Sequence, residues 1–322
     1  MTVNDPRTER IRRRQRSRNR AQGVLLLAGM VLTLALCAWL LFGGDGVVWV
    51  VLLGLGSLAL RPRMRPDWVL RMYRARVLPP AAAPDIHRVL DVLAARANLP
   101  TTPRLYYVPS AMLNAFAVGD RDEAAIGVTD GLLRTLTGRE LAGVLAHEIS
   151  HVSSEDLRTM TLADTVGRLP HAIAYVGLLM LFLGGAGMVM GAGALALVLA
   201  VVLMSVPTVV TLLQLALSRA REYDADLAAA TLTGDPLGLA RALRTLHEHE
   251  GNVWERIMVP HRRTPDGLLL RTHPPADERI RRLRELEPMD VRAVPTPADD
   301  HPPAGYGPIV GPVRLRPPGI WR

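Results

Sequence analysis

Apolar residues in this chain fall into long blocks rather than short periods. From Ala21 to Gly44 no side chain is charged, and leucine, valine and alanine fill the stretch. That meets the need for about 20 apolar residues to carry a helix across a bilayer. It is too long for the apolar core of a signal peptide, and no convincing small-residue cleavage site accompanies it. After Gly43-Gly44-Asp45-Gly46, a second apolar run covers Val47 to Leu60. As a helix it spans roughly 21 Å, so flanking arginines have to snorkel or the bilayer has to thin. A third block runs from Leu169 to Ser218, with no Asp, Glu, Lys or Arg and His171 as its one histidine. Its length suits two spans rather than one. Gly184, Gly185, Gly187, Gly191 and Gly193 mark either a turn near its middle or, through the Gly187/Gly191 spacing, a close-packing face. Pro207 predicts a kink in the last span. A buried hairpin of a soluble protein is the alternative, but charge-free stretches of this length are rare there.

Between the blocks the periods shorten. Pro79–Pro84 reads as a linker, and Asp85–Asn98 as an amphipathic helix with Ile86, Val89, Leu90 and Leu93 on one face. Arg104–Val108, Leu113–Gly119 and Ala124–Thr129 read as short strands, followed by a short helix over Asp130–Leu136. Thr137-Gly138-Arg139-Glu140 has the form of a capping box and opens a helix through Leu141, Leu145 and Ile149 to about Ser154. Beyond the third block, Arg219–Leu232, Pro236–Glu248 and Pro274–Leu286 read as helices. From Pro288 the chain is proline-rich and without apolar periodicity, which predicts disorder. No internal repeat is visible. The pattern predicts an α-helical integral membrane protein with four transmembrane helices and an α+β domain. It divides the chain into a basic tail (1–20), a first hairpin (21–60), a first domain part (61–168), a second hairpin (169–217), a second domain part (218–287) and a tail (288–322).

Composition narrows this further. At 322 residues, 49% hydrophobic and a mean hydropathy of +0.18, the chain is no disordered polypeptide. Its formal charge of +8 is carried by arginine alone, and it is concentrated. Residues 1–20 hold eight arginines against Asp5 and Glu9, and residues 61–76 hold six against Asp67. These blocks flank the first hairpin at its outer ends, so the positive-inside rule predicts a cytoplasmic N-terminus and a cytoplasmic domain. Aromatics are only 4% and the basic tail lies outside the folded domain, which argues against nucleic acid as a partner. The single cysteine, Cys37, excludes an internal disulfide framework and a cysteine-rich metal cluster.

His147-Glu148-Ile149-Ser150-His151 carries the most chemistry. On a helix, positions i and i+4 share a face, so both imidazoles can reach one Zn²⁺ at about 2.0–2.1 Å. The glutamate between them is then placed to take a proton from water that the ion acidifies. A histidine pair on a solvated helix face is the plainer alternative, and the capped, apolar-faced helix argues against it. A catalytic zinc needs a third protein ligand, for which Glu222 is the candidate. Asp226, at i+4 from it, can accept the outer N–H of a ligand histidine. Since His151 precedes the third apolar block and Glu222 follows it, a shared ion requires an even number of crossings between them. His247-Glu248-His249-Glu250 has ligand residue types at the wrong spacing and reads as a solvated helix end.

Leu113-Asn114-Ala115-Phe116, the histidine motif at 147–151, Ser218-Arg219 through Glu222-Tyr223 to Ala225-Asp226, and Thr272-His273-Pro274-Pro275 with Arg279 occur in one order around an apolar hairpin. Over roughly residues 20–286 the chain therefore resembles the M48 family of membrane metallopeptidases, in particular the bacterial HtpX-like heat-shock proteases. The resemblance implies a zincin-like fold and a single zinc held by His147, His151 and Glu222. Glu148 is then the general base, and Asp226 orients a ligand histidine. It implies that Asn114, Ala115 and Phe116 form an edge that pairs with extended substrate. His273 and Arg279 are then catalytic, stabilising the oxyanion or binding the substrate carbonyl. An ordinary helix-start histidine and a surface arginine are the alternatives for these two. Val118 and Leu227 are bulkier or more apolar than the family pattern leads one to expect.

The implied activity is hydrolysis of internal peptide bonds in misfolded or damaged membrane proteins, at a bacterial inner membrane. Polypeptides and the lipid bilayer are then the partners. A membrane chaperone or assembly factor with a structural zinc is a rival, but it would be expected to lack Glu148. A dedicated precursor-processing peptidase is another, but it would be expected to have more spans.

Overall fold

The computed structural model describes residues 6–59, 66–154, 170–171, 173–182, 194–257, 276–286 and 294. The glycine-marked turn, His273 and the proline-rich tail, apart from Val294, lie outside the described residues.

Helix α1 (Pro6–Ala59) is interrupted at Gly43, whose φ of 64° and ψ of −150° are open to glycine and closed to other residues. The chain doubles back there so tightly that Gly46 lies against the Ala38 carbonyl, leaving no room for a Cβ. Helices α6 (Ile173–Phe182) and α7 (Ala194–Thr233) pack with the first arm of α1. Met30, Cys37, Leu203, Val206, Val210 and Leu217 form their shared core. A Cβ on Gly177 would stand 2.9 Å from that of Leu203, so α6 and α7 approach through a bare backbone. Gly23 meets Leu217 and Gly29 meets Leu213, which makes α1 and α7 antiparallel. The outer face of this bundle exposes Trp39, Phe42, Tyr175, Phe182, Val198 and Leu212. So many large apolar side chains exposed on one bundle suit lipid rather than water. The segments Ala21–Val48 and Leu197–Thr233 are long and apolar enough to cross a membrane.

The remaining elements form an α+β unit. Its sheet contains β1 (Arg76–Val77), β2 (Arg104–Val108), β3 (Ala115–Gly119) and β4 (Ala124–Thr129), in the order β1-β2-β4-β3. β2 and β4 run parallel, while the outer strands pair antiparallel. One face, with Leu105, Tyr107, Ala117, Ile126 and Val128, joins a core with α3 (Pro84–Arg96) and α5 (Gly138–Ser153). The other face, with Tyr106 and Ala125, is covered by Leu70 of α2 (Pro66–Met72). Strand alternation sends neighbouring residues to these opposite cores. α2 and β1 were not expected from the sequence, being too short to show a period.

A short helix, α4 (Asp130–Thr135), leads from β4 to α5. Thr137 closes the predicted capping box on α5: its hydroxyl accepts from the Glu140 N–H, and the Glu140 carboxylate accepts from the Thr137 N–H. α8 (Pro236–Ile257) crosses α5 at Gly143, where a Cβ would stand 2.9 Å from the Leu239 backbone. α9 (Ala276–Arg284) completes the unit. α7 is unbroken over 40 residues, about 60 Å of helix. Sequence reading ended the span at 217 and began a new helix at Arg219; the two are one rod, and Pro207 lies within it. The apolar segment and the residues around Glu222 are thus rigidly joined.

Candidate metal centre

The capped start of α5 fixes its rotation, so that Leu145 and Ile149 enter the core while His147 and His151 face α7. The two rings meet edge to face, with centroids 4.7 Å apart. Their Nε2 atoms converge to 3.2 Å. Glu222 arrives from α7 with Oε2 at 3.4 Å from the His147 Nε2 and Oε1 at 3.7 Å from the His151 Nε2. Ligands bound tetrahedrally at about 2.0–2.1 Å lie about 3.3 Å from one another. The three donors therefore fit one small divalent ion. They are the sole group of this kind among the described residues. Ser150 was missed by motif reading. Its buried hydroxyl lies 2.6 Å from the His147 carbonyl and 3.3 Å from the Ala225 carbonyl, stitching α5 to α7 beside the three donors.

Around the donors lies a buried charge network. Asp226 Oδ1 is 3.1 Å from the His147 Nδ1. Arg279 donates to both oxygens of Asp226, from Nε and Nη2, at 2.7 Å each. Its Nη1 stands 3.3 Å from the Glu222 Oε2. Burial opposes the charge on Asp226, but Arg279 and then His147 outweigh it and hold the carboxyl down at about 2. Burial likewise opposes a proton on His147, yet contact with Asp226 and Glu222 pushes the imidazole up to about 10. For Arg279, burial is overcome first by Asp226 and then by Glu222 and Glu148, so its charge is reinforced. With several carboxylates against one guanidinium, the pocket holds an excess of negative charge that a divalent cation would offset. The position of α9 has a local cause. Arg279 and Arg282 lie at i and i+3 on one face, and the Arg282 guanidinium sits 3.7 Å above the Tyr223 ring. The signal was present in sequence as Tyr223 beside Glu222 and the paired arginines, but nothing there said that they meet.

The sequence model of Peptidase family M48 matches residues 80–287. The chain belongs to this family. A protease HtpX homolog of Acidiphilium cryptum is 38% identical over 282 residues, 84% of this chain and 96% of that protein. Another from Burkholderia thailandensis is 33% identical over 281 residues, 83% of this chain and 97% of that protein. The crystal structure of S. mikatae Ste24p aligns with a TM-score of 0.38 and 18% identity, covering 84% of this chain and 66% of that one. The chain is accordingly an M48 metallopeptidase with a His-His-Glu site suited to a metal ion.

In this M48 peptidase the Glu148 Oε2 accepts from the Ala117 N–H of β3 at 3.0 Å. β3 is an edge strand, and its pairing explains which groups are open. The Thr129 N–H donates to the Asn114 carbonyl and the Asp120 N–H to the Glu123 carbonyl, so even-numbered residues bond to β4 and odd-numbered ones point outward. Of the three residues expected to bind substrate, Ala115 alone directs its backbone groups to the open edge. Asn114 is tied to Thr129 through both its N–H and its carbonyl. Phe116 turns to the α2 side, where its ring lies 5.0 Å from Tyr73 and fills the space above Gly127. Among the two expected oxyanion partners, Arg279 is placed against Asp226 and Glu222, and His273 lies outside the described residues.

Proposed function

We propose that this chain is a membrane-embedded zinc endopeptidase that cuts internal peptide bonds of misfolded or damaged membrane proteins. The observation that carries the reading is the convergence of His147, His151 and Glu222 within 4.8 Å, beside Glu148 at the sheet edge. His147, His151 and Glu222 would hold the ion. Zinc in such a site is a Lewis acid that lowers the pKa of water toward about 7. Glu148, steadied by the Ala117 N–H, receives the proton of the attacking water and delivers it to the leaving amine. Asp226 keeps the His147 Nδ1–H in place so that Nε2 faces the ion, and Arg279 keeps Asp226 in place. We assign Arg279 to this positioning, in place of a contact to the oxyanion. A substrate strand adds to the free edge of β3, using both backbone groups of Ala115 and the carbonyl of Ala117, whose N–H is held by Glu148, so recognition is of extended backbone rather than of a particular side chain. That suits unfolded polypeptides as a class.

We further read the apolar blocks as four spans of a bacterial inner membrane, with the basic tail and the metal site on the cytoplasmic side. The antiparallel packing of α1 and α7 supports this, because it puts the start of α1 and the Glu222 end of α7 at one end of the bundle.

The test is zinc content of the detergent-purified full chain together with cleavage of casein. Wild type is expected to carry one zinc and to lose cleavage with a chelator. Glu148→Gln should keep the zinc and cleave at least about a hundredfold more slowly. Glu222→Ala should lose both. Wild-type cleavage by Glu148→Gln, or full zinc in Glu222→Ala, would sink the reading.

A further inference from the structure

Helix α2 is the first element of the α+β unit after the first apolar hairpin. Only Leu60-Arg61-Pro62-Arg63-Met64-Arg65 separate it from the end of α1 at Ala59. Fully extended, that connection reaches at most about 25 Å, so α2 is tethered close to the end of an apolar helix. Its two faces differ. Pro66 and Leu70 are buried, and Leu70 packs on Tyr106 and Ala125 of the sheet. Just beyond the helix, Tyr73 lies against Phe116 of β3. The opposite face presents Trp68 and Met72, at i and i+4, 61% and 66% exposed. Arg71 lies on the same exposed face, and Arg74 follows directly. The one acid of the helix, Asp67, is 3.6 Å from Arg104.

A bare indole beside a flexible thioether and arginines is an expensive surface in water and a good one in a lipid headgroup layer. Tryptophan favours that layer, methionine enters its apolar side, and arginine reaches the phosphates. We propose that α2 is an interfacial helix whose Trp68–Met72 face rests in the anionic headgroup layer of the bilayer that α1 enters, with Arg71 and Arg74 on lipid phosphates. Its inner face carries the sheet, so this contact fixes the position of edge strand β3 relative to the membrane. The order of layers is then lipid, α2, sheet, α5. The inference rests on α1 entering the bilayer but not on peptidase activity.

The experiment uses the full chain carrying Glu148→Gln, so that cleavage plays no part. It is reconstituted into nanodiscs of phosphatidylcholine alone or with about a third phosphatidylglycerol. Tryptophan emission is recorded with and without brominated lipid, and the difference between this chain and the same chain with Trp68→Phe isolates one indole. In anionic discs that difference emission should be quenched at least twofold. The quenching should fall by half or more in high salt, in phosphatidylcholine discs, or with Arg71→Ser and Arg74→Ser together. If the Trp68 component is unquenched in anionic discs while part of the remaining emission, which comes from Trp39, Trp49, Trp254 and Trp321, is quenched, the interfacial helix is wrong and the membrane reading stands. If no emission is quenched, both fall. Quenching that ignores salt and lipid charge overturns the recognition of anionic headgroups.

Discussion

Arg279 touches two carboxylates that come from one turn of α7, and this makes it a lever on the metal site. Its bidentate grip on Asp226 leaves that carboxylate one free direction, toward the His147 Nδ1. A lysine could keep the charge but not the fork. Arg279→Lys and Asp226→Asn are therefore each expected to weaken metal binding by about 10–100-fold, read by competition with a chromophoric chelator. An unchanged affinity in both would show that the network is structural only. Arg279→Met leaves Asp226 buried and uncompensated, with an expected loss of about 3–5 kcal/mol in stability. The Glu148 contact with Ala117 works in the same way on a smaller scale, since a backbone N–H holds the carboxylate at the strand edge without neutralising it.

Helix α5 is the element on which the site is built, and its position depends on close approach as well as on its cap. At Gly143 the neighbouring atoms are the Cα and N of Leu239, which belong to a helix backbone and cannot turn aside. Gly143→Ala is expected to push α8 away at a cost of about 1–3 kcal/mol, seen as a lower melting temperature. Because His147 lies one turn further on, zinc content should fall with it. A melt identical to wild type would mean that α8 shifts freely. The capping box acts at the N-terminal end of α5. Removing it with Thr137→Ala should cost about 1 kcal/mol without changing the metal affinity of the folded chain. α7 shows the opposite strategy, a single long rod that converts the depth of an apolar segment into the height of Glu222.

For the molecule as a whole, the antiparallel partnership of α1 and α7 is the fact with the widest consequence. It groups the arginine-rich start of α1, the metal site and, through its tether, α2 at one end of the apolar bundle. The expected topology can be read with a membrane-impermeant maleimide on intact bacterial cells whose outer membrane has been made permeable, in chains where Cys37 is replaced by alanine. The Asp45→Cys chain should react from outside, while the Arg16→Cys chain should react only after the inner membrane is opened. The reverse pattern would place the site on the outer side and refute the charge-based orientation.

Much of this was visible in one dimension. The histidine pair His147 and His151, the capping box, the glycine break near residue 43, the three longer strands and the apolar blocks all follow from local rules. Spacing on a helix, the φ freedom of glycine and the minimum length of a span need no partner. What the chain could not disclose by itself depends on distant residues meeting. Ser150 reaching the Ala225 carbonyl, Arg279 folding onto Asp226, Phe116 turning away from the open edge and Leu70 roofing the sheet are such cases. Each is a contact between elements whose own periods are short or ambiguous, and only packing chooses which of their faces is buried. The chemistry was therefore written locally, in residue types and intervals, while the orientation of that chemistry toward substrate and bilayer was decided by the tertiary fold.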